Sequence, residues 1–315
     1  MKKPVISLAA LLAAGTLALS ACGSDDPGSS NESPGGGGGG DDYSLGLAVS
    51  TLNNPFFVSL RDGAQDAADE AGVELIVTDG RDDATQQADQ VANFQTQQLD
   101  AVLINPVDSD AAGPIVAPLV QSDVPVIAVD RAVNGAEVST LVASDNVEGG
   151  RLAAQALAEA IGEEGQVIVL QGVAGTSASR ERGQGFDEGI ADYPNIEVVA
   201  KQPADFDRAQ GLDVATNLLQ ANPDVVGIFA ENDEMALGAV QALGDRAGQD
   251  VFVVGFDATE DGQAAVEAGT MFATIAQQPE DLGRAAVEAA LDLLDGEDVE
   301  ETISVPVVAV RQGDV

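Results

Sequence analysis

From Tyr43 onward, short β-branched and apolar runs alternate with longer Ala-rich amphipathic ones, and this alternation restricts the fold more than anything else in the chain. The strand candidates are 45–49, 73–77, 101–104, 124–129, 138–142, 167–170, 196–200, 225–229, 251–254 and 272–275. Helical patterns such as 56–71, 85–97, 147–161, 210–220 and 234–243 lie between them. Continuously apolar strands separated by helices form parallel sheets covered on both faces, so the fold class is α/β. Such a series fits either one large sheet or two smaller ones. Ala143-Ser144-Asp145-Asn146 ends a strand and caps a helix, which makes it a place for the chain to cross between lobes. A length of 315 residues is enough for two lobes, at roughly 100–150 residues each.

Counting residues closes off most reaction chemistry. There is no histidine, which removes Ser-His-Asp and Cys-His mechanisms, HExxH zinc sites and histidine as a general base. The single cysteine, Cys22, permits neither an intrachain disulfide nor a thiolate metal cluster. With 53 acidic and 13 basic residues the net charge is −40. A surface of that sign does not bind nucleic acid, because such binding draws its affinity from neutralising phosphates with Lys and Arg. No metal and no cofactor is expected.

The first 42 residues read as an address rather than as part of the fold. Met1-Lys2-Lys3 is a short basic start, followed by an apolar stretch from Val5 to Leu19. That stretch has the length of a secretory h-region and is short for a membrane span. It ends in Leu19-Ser20-Ala21-Cys22, which resembles a bacterial lipobox, with residues 1–21 as the cleaved leader and Cys22 as the lipidated first residue. Residues 22–42, including the glycine run Gly35 to Gly40, cannot bury enough apolar area to offset chain entropy and read as a flexible tether. The expected location is extracytoplasmic, anchored to a membrane without spanning it.

In doubly wound sheets, ligands bind beyond the C-terminal ends of the strands. The residues found there are Ser50 to Phe57, Asp130-Arg131, Ser179 to Gly183, Asp205 to Arg208, Asn232 to Glu234, Phe256-Asp257 and Gln277. Singly, several have plainer roles: Asn54, Asp207 and Asn232 suit helix caps, and Arg180, Glu181 and Arg208 suit a solvated face. Adjacent Phe56 and Phe57 at a helix start point in different directions, so both are not expected to be core. Together, phenyl rings and planar polar groups suit a sugar. Rings stack on its C–H faces, while Asp, Arg, Asn and Gln bind its hydroxyls in fixed directions. Asp130 and Asp257 against Arg131 and Arg182 cancel in charge, which favours a neutral ligand over a phosphate or carboxylate.

Longer stretches carry a resemblance. Ser50-Thr51-Leu52-Asn53-Asn54-Pro55-Phe56-Phe57-Val58-Ser59-Leu60, Ile104-Asn105-Pro106-Val107-Asp108 and Ala143-Ser144-Asp145-Asn146-Val147 resemble bacterial ribose-binding proteins, the periplasmic components of sugar ABC importers. So do Ala174-Gly175-Thr176-Ser177-Ala178-Ser179-Arg180-Glu181-Arg182-Gly183, Gln202 to Arg208, Asn232-Asp233-Glu234-Met235-Ala236-Leu237-Gly238, Val253-Val254-Gly255-Phe256-Asp257 and Ala273 to Gln277. The resemblance extends from Tyr43 to about Val310.

It implies a type I periplasmic-binding-protein fold: two doubly wound parallel-sheet lobes joined by a three-strand hinge. One lobe would comprise 43–144 with about 278–306, and the other 145–277 with about 307–315. The family's ribose contacts fall on Ser50, Asn54, Phe56, Phe57, Asp130, Arg131, Arg182, Phe206, Asn232, Asp257 and Gln277. The implied activity is non-enzymatic binding of D-ribose by a monomer whose lobes close, followed by delivery to a membrane permease. A nucleoside, an autoinducer-type furanose or another monosaccharide such as allose is the alternative ligand. Transcription regulators of the same fold need a DNA-binding segment where this chain has a leader. A two-carboxylate glycosidase needs a proton donor, and an arginine beside each of Asp130 and Asp257 argues against one.

Overall fold

Side-chain oxygens start eight of the nine helices among the described residues, which are 43–314 of a computed structural model. Asn54 accepts from Phe56 N ahead of α1 (Pro55–Ala71), with proline at the favoured first position. Asp83, Asp108 and Asp145 do the same for α2 (Ala84–Gln97), α3 (Ser109–Val120) and α4 (Asn146–Ile161). Thr176, Asp207, Asn232 and Thr259 cap α5 (Ser177–Ile190), α6 (Arg208–Ala221), α7 (Asp233–Leu243) and α8 (Glu260–Glu267). Only α9 (Pro279–Leu294) begins without a side-chain cap. The segments read above as leader and tether, with Cys22, lie outside the described residues.

Among the described residues, twelve strands pair into two six-stranded sheets. In the first, β1 (Ser44–Val49) sits between β2 (Glu74–Asp79) and β3 (Ala101–Ile104). The sheet continues through β4 (Val126–Val129) and β5 (Thr140–Ser144), and every pairing is parallel. The second sheet repeats this plan. Its β6 (Gly165–Gln171) lies between β7 (Ile196–Pro203) and β8 (Val225–Ala230), followed by β9 (Phe252–Asp257) and β10 (Ala273–Ala276).

Two strands beyond the sequence reading complete the sheets. β11 (Thr302–Val305) pairs parallel with β5, and β12 (Val308–Arg311) pairs antiparallel with β10. The chain therefore passes between sheets at Asp145, at Gln277-Gln278 and at Pro306-Val307. These links are too short to be strands themselves; three strands, β5, β10 and β11, run up to them. The expected two-lobed α/β architecture is what forms.

Each sheet is covered on both faces, as parallel sheets require. Alternation along a strand divides the work: Leu45, Leu47 and Val49 pack with α1 and α9, while Ala48 faces Val91, Phe94 and Val116 from α2 and α3. In the second lobe Val167 and Val169 face α4 and α5, and Ile168 and Leu170 face α6 and α7. Paired helices touch through glycines. A Cβ at Gly185 of α5 would lie 1.9 Å from Val147 O, and one at Gly150 of α4 would lie 2.3 Å from Arg182 O. Without side chains there, α5 rests directly on α4, which fixes the helix that carries Arg182.

Candidate functional site

In both sheets the strand order reverses at the first strand, β1 and β6, and the crevice beyond such a reversal is where doubly wound folds bind ligands. The two crevices face each other across a narrow space lined by side chains from both lobes. Ten of the eleven residues singled out from the sequence line it: Asn54, Phe56, Phe57, Asp130, Arg131, Arg182, Phe206, Asn232, Asp257 and Gln277. Ser50 does not. It is fully buried at the end of β1, where its N–H donates to Asn105 Oδ1.

Local geometry explains the positions. Phe56 and Phe57 open α1, with ring centroids 5.2 Å apart and planes at 85°. The sequence reading did not expect both to be core, yet both are buried and both pack into the first lobe's apolar cluster while also lining the cleft. Phe206 comes from the opposite lobe and is half-buried. Asn54 and Asn232 combine two roles, since each caps its helix and lines the space. Asp130, Phe206 and Asp257 have φ of 65°, 60° and 113°, a backbone region that side chains other than glycine avoid. Each such residue costs on the order of 1–3 kcal/mol, and such strain clusters at functional sites.

The charges are matched in pairs. Arg131 Nε lies 3.6 Å from Asp130 Oδ2, and Arg182 Nη1 lies 3.6 Å from Asp257 Oδ1. Rings flank both guanidinium groups. Arg131 sits 5.1 Å from the Phe57 centroid and 5.5 Å from that of Phe206, and Arg182 sits 3.9 Å from Phe256. Asn105 Nδ2 donates to Asp130 Oδ2 at 3.1 Å, and Gln277 Nε2 donates to Asp257 Oδ1 at 2.7 Å.

Burial acts against ionisation of these carboxylates. It raises Asp130 despite Arg131, and pushes Asp257 well above the ordinary carboxylate range despite Arg182. An arginine neighbour alone therefore does not fix their charge, and hydroxyl donors from a ligand would favour the ionised forms. Two buried polar atoms of cleft-lining residues have no hydrogen-bond partner within the protein: Arg131 Nε and Gln277 Oε1. Buried polar groups are normally paired, so donors and acceptors held in this way suit a ligand rich in hydroxyls. Among the described residues, no cluster of His, Cys, Asp and Glu has the arrangement of a metal site.

Three features escaped the sequence reading. Ala178 supplies a small wall, Asn105 orients Asp130, and Glu231 is fully buried beside Asn232. Asn105 was discoverable, since it ends β3 at the same level as Asp130 after β4. The lobes are also closed on each other. Ser109 N donates to Gly175 O at 3.0 Å, Ser177 N to Ser109 Oγ at 3.1 Å, Ala132 N to Ser177 Oγ at 2.9 Å and Arg180 Nη1 to Asp110 Oδ2 at 3.1 Å.

A family model described as a periplasmic binding protein domain matches residues 45–298. The ribose import binding protein RbsB of Bacillus subtilis is 45% identical over 306 residues, covering 97% of this chain and 98% of that protein. The Escherichia coli protein of the same name is 50% identical over 257 residues, covering 82% and 86%. Among solved structures, an ABC transporter periplasmic solute binding protein from Actinobacillus succinogenes with bound D-allose superposes with a TM-score of 0.81 at 34% identity, covering 86% of this chain and 98% of that one.

Proposed function

The chain belongs to the periplasmic binding protein family, and from that premise we propose that the cleft between its lobes holds D-ribose, which it binds as the solute-binding component of an ABC importer. It makes and breaks no bond. The observation that carries this reading is the cancellation of charge inside a ring-walled cleft: two aspartates each face one arginine, with Phe56, Phe57 and Phe206 around them. Such a site offers forks and acceptors to a hydroxylated rim and apolar faces to the sugar ring, and it has no spare cation for a phosphate.

Binding proceeds by closure. The sugar meets one lobe, bridges to the other and stabilises the closed state through contacts that only that state completes. The ten sequence-identified residues lining the cleft are the proposed contacts, with Phe206 closing over the ring from the second lobe. The closed protein then docks on its permease. Lipidation of Cys22, on the tether that follows Leu19-Ser20-Ala21, would hold it at the membrane and raise its effective concentration near that partner.

Titration calorimetry with ribose, allose, adenosine and ribose 5-phosphate tests the reading. Ribose should bind most tightly and the phosphate should weaken binding. A nucleoside that binds while free ribose gives no heat would overturn it in favour of a nucleoside carrier. Tighter binding of the phosphate would refute the charge argument.

A further inference from the structure

Glu231 is fully buried one residue before Asn232, yet it does not line the cleft. Its Oε2 accepts from Gly172 N at 2.7 Å and from Ser179 Oγ, while its Oε1 is buried with no partner. Both partners support cleft residues. The Phe206 ring lies on Gly172 so closely that a Cβ there would come within 2.0 Å of the ring. Ser179 is in the first turn of α5, one turn ahead of Arg182. Arg182 Nη1 also donates to the Glu231 backbone carbonyl at 2.7 Å, and Asn232 Nδ2 donates to Phe206 O at 3.2 Å. Glu231 thus joins three of the segments that form the second lobe's half of the cleft, those carrying Arg182, Phe206 and Asn232.

We propose that Glu231 is a positioning residue of the sugar site, holding Phe206 and Arg182 in their binding geometry through Gly172 and Ser179, and that its protonation state tunes ribose affinity. This rests on the ribose reading given above. Around the carboxyl, Arg182 on α5 and Lys201 on β7 favour the ionised form, and Asp257 on β9 faces the other side of Arg182. Burial outweighs those cations and pushes Glu231 up to about 7. Ionisation therefore changes within the physiological range, and the ionised form makes the stronger bonds to Gly172 and Ser179.

Ribose titrations from pH 5.5 to 8 on the wild type, Glu231→Gln and Glu231→Ala test this. Wild-type affinity should tighten with rising pH by about three- to tenfold, because charge-assisted hydrogen bonds are roughly twice as strong as neutral ones. Glu231→Gln keeps an acceptor for both donors, so it should bind with that component of the pH profile removed. The other buried carboxyls, Asp130, Asp233 and Asp257, are present in both proteins, so the difference between the two profiles reports Glu231. Glu231→Ala strands two buried donors and should weaken binding by about tenfold or more, a loss that Gln largely rescues. Superimposable profiles for wild type and Glu231→Gln, or wild-type affinity in Glu231→Ala, would overturn the proposal. Failure of the wild type to bind ribose would be seen first, and would overturn the ribose reading itself.

Discussion

Arg182 Nη1 and Asp257 Oδ1 stand 3.6 Å apart, and both side chains are only 4% exposed. Neither charge has water to fall back on, so removing one leaves the other uncompensated. Asp257→Ala should cost about 3–5 kcal/mol of folding stability, the usual penalty for breaking a buried pair from one side. It should also abolish measurable ribose binding. Asp257→Asn retains an acceptor for Gln277 and should recover part of the stability but not the affinity. Thermal unfolding and calorimetry on both variants check this, and a wild-type melting temperature in Asp257→Ala would show that the pair is not structural.

Phe206 contributes to the site differently, because it is half-buried and reaches the cleft from a loop. Its ring packs on Gly172 and lies 5.5 Å from Arg131 of the other lobe. Phe206→Ala should weaken ribose binding by about 1–3 kcal/mol, the range for apolar burial plus ring contact. The melting temperature without sugar should change little. Unchanged affinity would mean that the ring is not a wall of the site.

How far this site could be read from the sequence follows from where the fold puts it. In a doubly wound sheet the functional residues end strands and begin helices, so Asn54 before Pro55, Asp130-Arg131 after β4 and Asn232 after β8 are local signals. The same locality misleads at Ser50, which ends β1 but lies behind Asn105 rather than in the cleft. β11 and β12 were illegible for a different reason. Only Pro306-Val307 separates them, so the run looks like one broken strand, and its division between two sheets is decided by tertiary pairing. Glu231 reads as part of a helix-cap neighbourhood, since its partners Gly172 and Ser179 are far away in sequence. The bonds between lobes are likewise products of closure, which no local pattern encodes.

Those bonds give a prediction of their own. Ser177 Oγ accepts from Ala132 N, Ser177 N donates to Ser109 Oγ, and none of the three residues lines the cleft. Ser177→Ala leaves one backbone donor unpaired in the closed state, at a cost of about 0.5–1.5 kcal/mol. Because the sugar selects the closed state, ribose affinity should fall by about two- to tenfold with no sugar contact altered. The radius of gyration of the sugar-free protein in solution scattering should rise. Arg180→Ala breaks an exposed pair with Asp110, with side chains 42% and 62% exposed. Its effect should be smaller and should vanish in 1 M salt. Equal effects from the two variants would mean that the buried bonds do not set the closure equilibrium.

Buried carboxyls whose protons burial holds, Asp233 and Glu231 among them, should make stability fall as pH rises. Asp233 accepts from Thr259 N at 2.8 Å and Thr274 Oγ at 2.7 Å, yet burial pushes it up to about 6. Burial likewise pushes Glu231 up to about 7. Both bind their protons more tightly in the native state than in the unfolded chain, where their values are 3.8 and 4.5. Their contribution to stability is therefore complete below those unfolded values and is lost as pH rises through about 6 and about 7. Between pH 5 and 8 the loss should be on the order of a few kcal/mol. Repulsion within a chain of net charge −40 acts in the same direction, so the measurement belongs in 1 M NaCl, where the screening length of about 3 Å suppresses exposed charges far more than buried ones. A melting temperature that still drops from pH 5 to 8 in that salt, and drops less in Glu231→Gln, assigns the effect to the buried groups. A flat profile in salt would assign it to the surface.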